Sequence, residues 1–522
     1  MPPVSQAVLQ SWSIPPAASF ALALTALVYL RGWILLRRAR VPFVPPWRAA
    51  SFLAGLLSLW IALASPLDTF SGLVLTAHML QHMILMMVAP PLILLGAPLI
   101  PLVRGLPIFA AREFAGPFLN WKLATRAGRA LTRPAPALLL MAAVMFSWHT
   151  PRLYELALDS SAWHEVEHAC FFLVSLIFWW PVLQPWPSRP HWPRWAVIPY
   201  LMIGDLQNTV LSAVLIFSDR VIYPSYATAP RLFGFSASQD QAAAGTTMWV
   251  VGSLAFIVPA VVIAVECLSN RPSLVTFHAP SDREIRVLDT LIRSGRRLWP
   301  VAGLRAPGCS RRKVEVGTFV FLFALAGLTL AALATGSPDD DDQVLLLSQS
   351  SGPFAVAVFG AKGDVRSGTV ELSILVQSSQ THDLLQDAAI DVFAEQRAQS
   401  RRTAPVRASS EDSENKLLQS AAVNIPVEGD WTVHLGVQNG GSQAGLSLPL
   451  RVITPEGGFS LPWPYLALIT LAAVLGFAFA SRQRKQVRVR ISRHETGPSA
   501  RLNEVNQLEN HATGPSRKGL TT

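Results

Sequence analysis

Residues 65–91, SPLDTFSGLVLTAHMLQHMILMMVAPP, contain an apolar run long enough to enter a bilayer, and that run carries His78 and His82. A spanning helix needs about 20 predominantly apolar residues, because the hydrocarbon core is ~30 Å thick. Polar side chains inside such a helix are tolerated where they face a bundle interior, a cavity or one another. Residues four apart stack on one helix face. The two imidazoles therefore point the same way, and the rest of the chain has to supply what they point at.

The whole chain fits a polytopic membrane protein. It has 522 residues, of which 51% are hydrophobic and 15% charged, and a mean hydropathy of +0.35. The net charge of +10 would suggest nucleic acid as the partner of a soluble protein. In a membrane protein the same excess arises from arginine-rich loops on the cytoplasmic side, so nucleic acid is excluded and membrane lipids take its place. Cys170, Cys267 and Cys309 lie far apart, which excludes a CxxC thiolate motif and a disulfide framework. The N-terminus has no basic region ahead of its first apolar run and does not read as a cleaved signal peptide.

Basic clusters orient the spans. The first span, 17–36, is followed by Arg37, Arg38 and Arg40, which are expected to be cytoplasmic. A second span near 49–64 returns outward, and the third, from about 71, runs inward with His78 and His82 in its outer half. The semi-apolar segment 96–134 carries six basic residues and suits a cytoplasmic loop with an interfacial helix. Further spans follow at 136–148, 165–184, 196–217 and 243–267. With this topology the basic clusters fall on one side. All histidines of the first seven spans except His191 fall on the other.

Beyond residue 270 the character changes. A strongly basic stretch precedes another span at about 316–335, and PDDDD at 338–342 follows it. Alternating segments such as FAVAVF, GTVELSILV, AIDVFA and WTVHLGV, separated by Gly, Ser, Asn and Pro, read as strands of a small antiparallel sandwich. The fold class is thus an all-α polytopic membrane helix bundle of about seven spans, plus two further spans flanking a small external all-β sandwich-like domain. The expected organisation is an external N-terminal tail (1–16), a seven-helix membrane bundle (17–268), a basic cytoplasmic linker (269–314), a transmembrane helix (315–336), the external β domain (337–458), a second transmembrane helix (459–481) and a polar cytoplasmic tail (482–522) with the composition of a disordered segment.

His164 and His168 repeat the one-turn spacing of His78 and His82, at the start of the fifth span, and His149 ends the fourth at the same level. Five imidazoles on one side point to a metal or a haem. Neutral imidazole suits copper, zinc, iron and nickel, and thioether selects cuprous copper, so nearby Met79, Met83 or Met86, the last of which continues the stripe from His78 through His82, leans the choice towards copper. Taken alone, Met86 reads as core filler. Asp68 and Asp240 lie in the outer loops, where a carboxylate could orient a ligand histidine. Asp205, Gln207 and Asn208 lie inside the sixth span, and interhelical hydrogen bonds are the favoured account of them.

The runs HMLQHMILMMVAPPLILLGAPL, HTPRLYELAL with WHEVEHACFFLVSLIFWWPVL, and DQAAAGTTMWVVGSL, in this order, resemble the CtaG family of cytochrome c oxidase assembly factors over about residues 15–270. The basic clusters put the N-terminus outside and the C-terminus in the cytoplasm of what is expected to be the bacterial plasma membrane. The resemblance implies a seven-helix integral membrane protein that serves maturation of a haem-copper oxidase at the stage of copper insertion. It implies cytochrome c oxidase subunits as partners and no catalytic turnover. It makes His78, His82, His149, His164 and His168 the candidate copper ligands, with Asp68, Asp240 and Gln241 at the family's polar loop positions. Two other classes stay open: a membrane redox protein with a noncovalent bis-histidine haem, for example on His82 and His168, and a cation transporter lined by Asp205 and the histidines. In the β domain, His382 and His434 form no ligand-spaced cluster, so a docking surface is expected there rather than a second metal site.

Overall fold

The apolar stretches form helices, and proline opens several of them. A computed structural model of the chain describes residues 3–39, 44–107, 122–185, 192–269, 343–361, 365–396, 401–411, 413 and 415–453. Its first helices are α1 (Pro3–Gln10), α2 (Pro16–Arg38), α3 (Pro46–Ala64) and α4 (Pro66–Ser71). Proline in the first helical turn lacks only an N–H that would stay unpaired anyway, and its fixed φ suits the helix. There follow α5 (Leu75–Met83), a π-helical turn (Ile84–Val88), α6 (Ala89–Leu95), α7 (Leu99–Gly105), α8 (Lys122–Leu131), α9 (Pro134–Trp148), α10 (Pro151–Leu158), α11 (Ser161–Leu183), α12 (Val197–Phe217), α13 (Pro224–Thr228) and α14 (Ala237–Ser269).

Among the described residues, six helical stretches are long and apolar enough to cross a membrane: Pro16–Arg38, Pro46–Ala64, Leu75–Leu95, Ser161–Leu183, Arg194–Phe217 and Ala237–Ser269. The fourth expected span, α9, has 15 residues, which at 1.5 Å per residue is shorter than the ~30 Å hydrocarbon core. The two later spans, the tail, the basic linker beyond its first residue, His191 and Cys309 lie outside the described residues.

The segment expected to lie at the interface after residue 96 begins differently. Helix α7 is buried against α2, because a Cβ on Gly32 would stand 1.7 Å from the Pro101 carbonyl oxygen and one on Gly105 would stand 1.8 Å from that of Val28. Two small residues thus let the backbones touch, as at close helix crossings in membranes. Interhelical bonds also account for Asp205 and Asn208 of α12. Asp205 accepts a 2.7 Å hydrogen bond from Ser253 on α14, and the Asn208 amide donates to the Met248 carbonyl at 3.0 Å.

The π turn has a local cause. In α or π geometry, the Met86 carbonyl would accept from the N–H of residue 90 or 91, and both are proline. The Ala89 N–H reaches back five residues to Ile84, and the Trp179 indole N–H donates to the Met86 carbonyl at 3.0 Å. A carbonyl that two prolines would leave bare inside a bilayer is satisfied by a neighbouring helix.

The strands form two sheets. One has the order β1 (Gln343–Ser351), β2 (Phe354–Ala361), β4 (Gly368–Ser378), β8 (Gln419–Ile425), and the other β3 (Val365–Arg366), β10 (Ser442–Ile453), β9 (Gly429–Asn439), β5 (Ala389–Gln396), β6 (Arg401–Arg402), with β7 (Val406–Arg407) also on β5. Alternate residues fill the space between them: Val356 and Val358 of β2, Leu372 and Ile374 of β4, Ile390 and Val392 of β5, and Trp431, Val433 and Leu435 of β9. Asn439 pairs with Ser442 across Gly440 and Gly441, both at positive φ. A two-residue hairpin of that twist needs this backbone, and glycine adopts it freely.

FAVAVF is apolar without alternation because both faces of β2 are covered. Ala357 and Phe359 point away from the sandwich core and join Leu375, Leu417 and Leu418 against Ala7, Phe70 and Leu232 of the helical region. Gln377 donates to the Arg231 carbonyl at 2.7 Å, and the Lys416 N–H to Ser11 at 2.9 Å. The four-stranded sheet therefore sits on the end of the helices where α5 begins.

Candidate metal centre

Helix α5 supplies His78 and His82, α11 supplies His164 and His168, and His149 is the residue that ends α9. The ring centroids of His78 lie 4.3 Å from His82, 5.2 Å from His164 and 6.5 Å from His168. His82 and His168 are 5.5 Å apart, and His164 and His168 4.1 Å. His149 packs on Phe171, which also contacts His82. The two helical pairs thus face each other, with His149 beside them.

A sixth group completes the cluster. Glu167 is fully buried, and its Oε2 lies 3.7 Å from His78 Nε2 and 3.9 Å from His82 Nε2. One donor atom from each of His78, His82 and Glu167 falls within 4.8 Å of the others. Neither carboxylate oxygen has a hydrogen-bond partner, and neither do the Nε2 atoms of the five histidines. Buried polar groups are ordinarily paired, and a buried carboxylate without a partner is strongly disfavoured. Six such residues in one place fit a cation.

Hydrogen bonds aim the lone pairs. The Tyr226 hydroxyl donates to the Ser71 carbonyl at 2.5 Å and lies 3.2 Å from His78 Nδ1. Its single proton is engaged with a carbonyl, which can only accept, so Nδ1 of His78 carries the hydrogen and donates to the phenol. In the neutral ring Nε2 is then an acceptor, facing another acceptor on Glu167. His149 is set the same way: Nδ1 donates to the Met145 carbonyl at 2.8 Å, leaving a lone pair on the buried Nε2. This is how a protein commonly orients a metal-ligating imidazole. Burial pushes the phenols of Tyr226 and Tyr223 well above the usual range, so Tyr226 stays a donor. Glu155 of α10 holds α13 in place by accepting from the Ser225 N–H at 3.3 Å and from the Ser225 hydroxyl.

The predicted supporting residues lie elsewhere. Asp240 accepts from the N–H of Leu75 at 2.7 Å and from that of Thr76 at 3.1 Å, capping α5 from a distant helix. Asp68 accepts from the Gln81 amide at 2.7 Å. The Gln241 amide donates to the carbonyls of Leu215 and Arg220, and its oxygen accepts from the Ile222 N–H. All three position the elements that frame the cluster. Met86 is buried in the helical core, and its carbonyl, not its sulfur, makes the polar contact to Trp179.

Sequence reasoning passed over Glu167, although His164, Glu167 and His168 have the i, i+3, i+4 spacing that places three donors on one helix face. Tyr226 carries no such signal, since it reaches His78 from 148 residues away.

Residues 27–270 match the family model described as cytochrome c oxidase caa3 assembly factor (Caa3_CtaG). That stretch is similar to the Caa3_CtaG family. All five histidines and Glu167 lie within the matched region. Among curated proteins, an uncharacterized protein of Mycobacterium bovis and one of Mycobacterium tuberculosis are each 28% identical over 212 residues, 38% of this chain and 31% of the relative. An uncharacterized protein of Mycobacterium leprae is 27% identical over 196 residues, covering 36% and 30%. The chain's matched region thus spans about a third of the length of these relatives. No solved structure gives a significant match.

Proposed function

We propose that this protein is a membrane assembly factor for a haem-copper cytochrome c oxidase, and that it holds copper as cargo on its histidine cluster before passing it to an oxidase subunit. The observation that carries the copper-binding part is the meeting of the His78 Nε2 lone pair with the unpartnered Glu167 carboxylate at 3.7 Å, an arrangement that a bound cation relieves. Imidazole with little thiolate competition suits copper, and the family description supplies the oxidase as client. On this reading the protein sits in the bacterial plasma membrane with the cluster towards the external face. Its residues bind and release an ion, and no bond is made or broken in a substrate.

The haem alternative draws less support, because the His82 and His168 rings meet edge-on at 85° with Glu167 and His78 packed alongside. In the transporter alternative, Asp205 would line the ion path, but it is bonded to Ser253. Copper content of the purified full chain tests the proposal. Wild type should carry copper, and His78→Ala combined with His82→Ala should carry less. Equal copper in both would sink the assignment, as would normal oxidase assembly in membranes lacking the protein.

A further inference from the structure

We propose that the cluster holds two copper ions bridged by Glu167, rather than one. This deepens the copper-binding reading above and rests on it.

The donors outnumber what one copper ion takes. Copper sites of this chemistry use three or four protein donors. The cluster offers Nε2 of His78, His82, His149, His164 and His168 and both oxygens of Glu167, all buried and none with a hydrogen-bond partner. A single ion on His78, His82 and Glu167, the three whose donor atoms lie within 4.8 Å of one another, would leave three imidazole nitrogens buried and bare. Native structures seldom leave even one such group unpaired.

Among the described residues only the first three have donor atoms that close together, and His164, His168 and His149 supply the remaining donors beside them. His164 and His168 stack one turn apart with ring centroids at 4.1 Å, and the Met145 carbonyl fixes His149 as a donor of a lone pair. Glu167 lies between His164 and His168 in the same helix and turns Oε2 towards the α5 pair. Its Oε1 is equally buried and unpartnered. A carboxylate with a second free oxygen is the kind of group that bridges paired ions, which in two-metal sites sit about 3.5–4 Å apart. The first ion takes His78, His82 and Oε2, while the second takes His164, His168 and Oε1, with His149 as a further donor.

The test is metal stoichiometry in the purified full-length protein. Cuprous ion is added anaerobically in excess, loosely bound metal is removed on a chelating resin, and copper is measured per chain. A variant with all five histidines replaced by alanine gives the background to subtract. Wild type should retain two copper ions, and either His78→Ala with His82→Ala or His164→Ala with His168→Ala should halve that number. One ion in wild type overturns the inference while leaving the copper-binding reading intact, whereas none overturns both. Because the paired variants could fail to fold, wild type also carries its own readout. After oxidation, two bridged cupric ions couple magnetically and the spin count falls well below the copper count. A spin count equal to the copper count overturns the bridge.

Discussion

The helical region and the sandwich treat buried polar groups differently. In the sandwich, the interior between the sheets is aliphatic apart from Phe354 and Trp431 among the described residues, and buried amides such as Gln419 donate to backbone carbonyls at about the distance of any ladder bond, 2.9 Å to Ala388. The helical region contains two populations. Gln81, Asn208 and Gln241 donate to the carbonyls of Ala62, Met248 and Leu215 and so tie segments together. The five histidines and Glu167 instead turn unpartnered atoms towards one another. Burial alone therefore does not mark the candidate site in this protein; the gathering of several unpartnered donor atoms in one place does.

The contrast is broken most strongly at Glu167. Glu167→Gln keeps the shape and removes the charge, and should lower copper affinity by about a hundredfold or more, since even groups that only orient ligands account for 10- to 100-fold. Competition with a chromophoric chelator measures it, and an unchanged affinity would place the metal elsewhere. The sandwich should not respond to that change, and the reverse holds for Trp431→Ala. Removing this buried indole should destabilise the sandwich by ~3–5 kcal/mol without altering copper per chain in the folded fraction, as thermal unfolding with metal analysis would report.

Asp240 lies between the two populations, because it is polar and paired yet serves the helix that carries the histidines. Asp240→Ala removes the cap on Leu75 and Thr76 and should destabilise that end of α5 by ~0.5–2 kcal/mol. Hydrogen exchange at residues 75–78 should rise, whereas exchange in the π turn should not. The smallest effect is expected where the two regions meet. Gln377→Ala deletes the bond to the Arg231 carbonyl, worth ~0.5–1.5 kcal/mol. It should speed protease cleavage of the loop around residues 229–236 several-fold at most.

The helices and strands were legible because period and length carry them. The two i, i+4 histidine pairs mark one face each, and the strands of the sandwich core alternate. The uninterrupted FAVAVF was also legible as a strand, but its reason was not, since the second covered face depends on Phe70 and Leu232 from other parts of the chain. The site divides in the same way. Histidines announce themselves inside an apolar run, whereas Glu167 stands in a polar-looking stretch, HEVEH, beside Glu165. Asp240 is expected from sequence to orient an imidazole and in the structure accepts from the start of α5, because a loop carboxylate that orients an imidazole and one that caps a helix look alike in sequence. The burial of α7 against α2 depends on Gly32 meeting Gly105, a coincidence of two distant positions that neither stretch reveals by itself.

The π turn at Ile84–Val88 has a consequence for how the span can change. A π turn accommodates one more residue than an α turn, which rotates everything beyond it by about 100° relative to an uninterrupted helix. Above the turn the helix aims His78 and His82 at α11, and below it Ile93 presses on Gly55 of α3, where even a Cβ would come within 2.7 Å. The extra residue lets one span serve two neighbours on different sides. Deleting a single residue between 84 and 88 would restore the α register and force a choice: either the imidazoles swing away from Glu167 or Ile93 leaves its glycine.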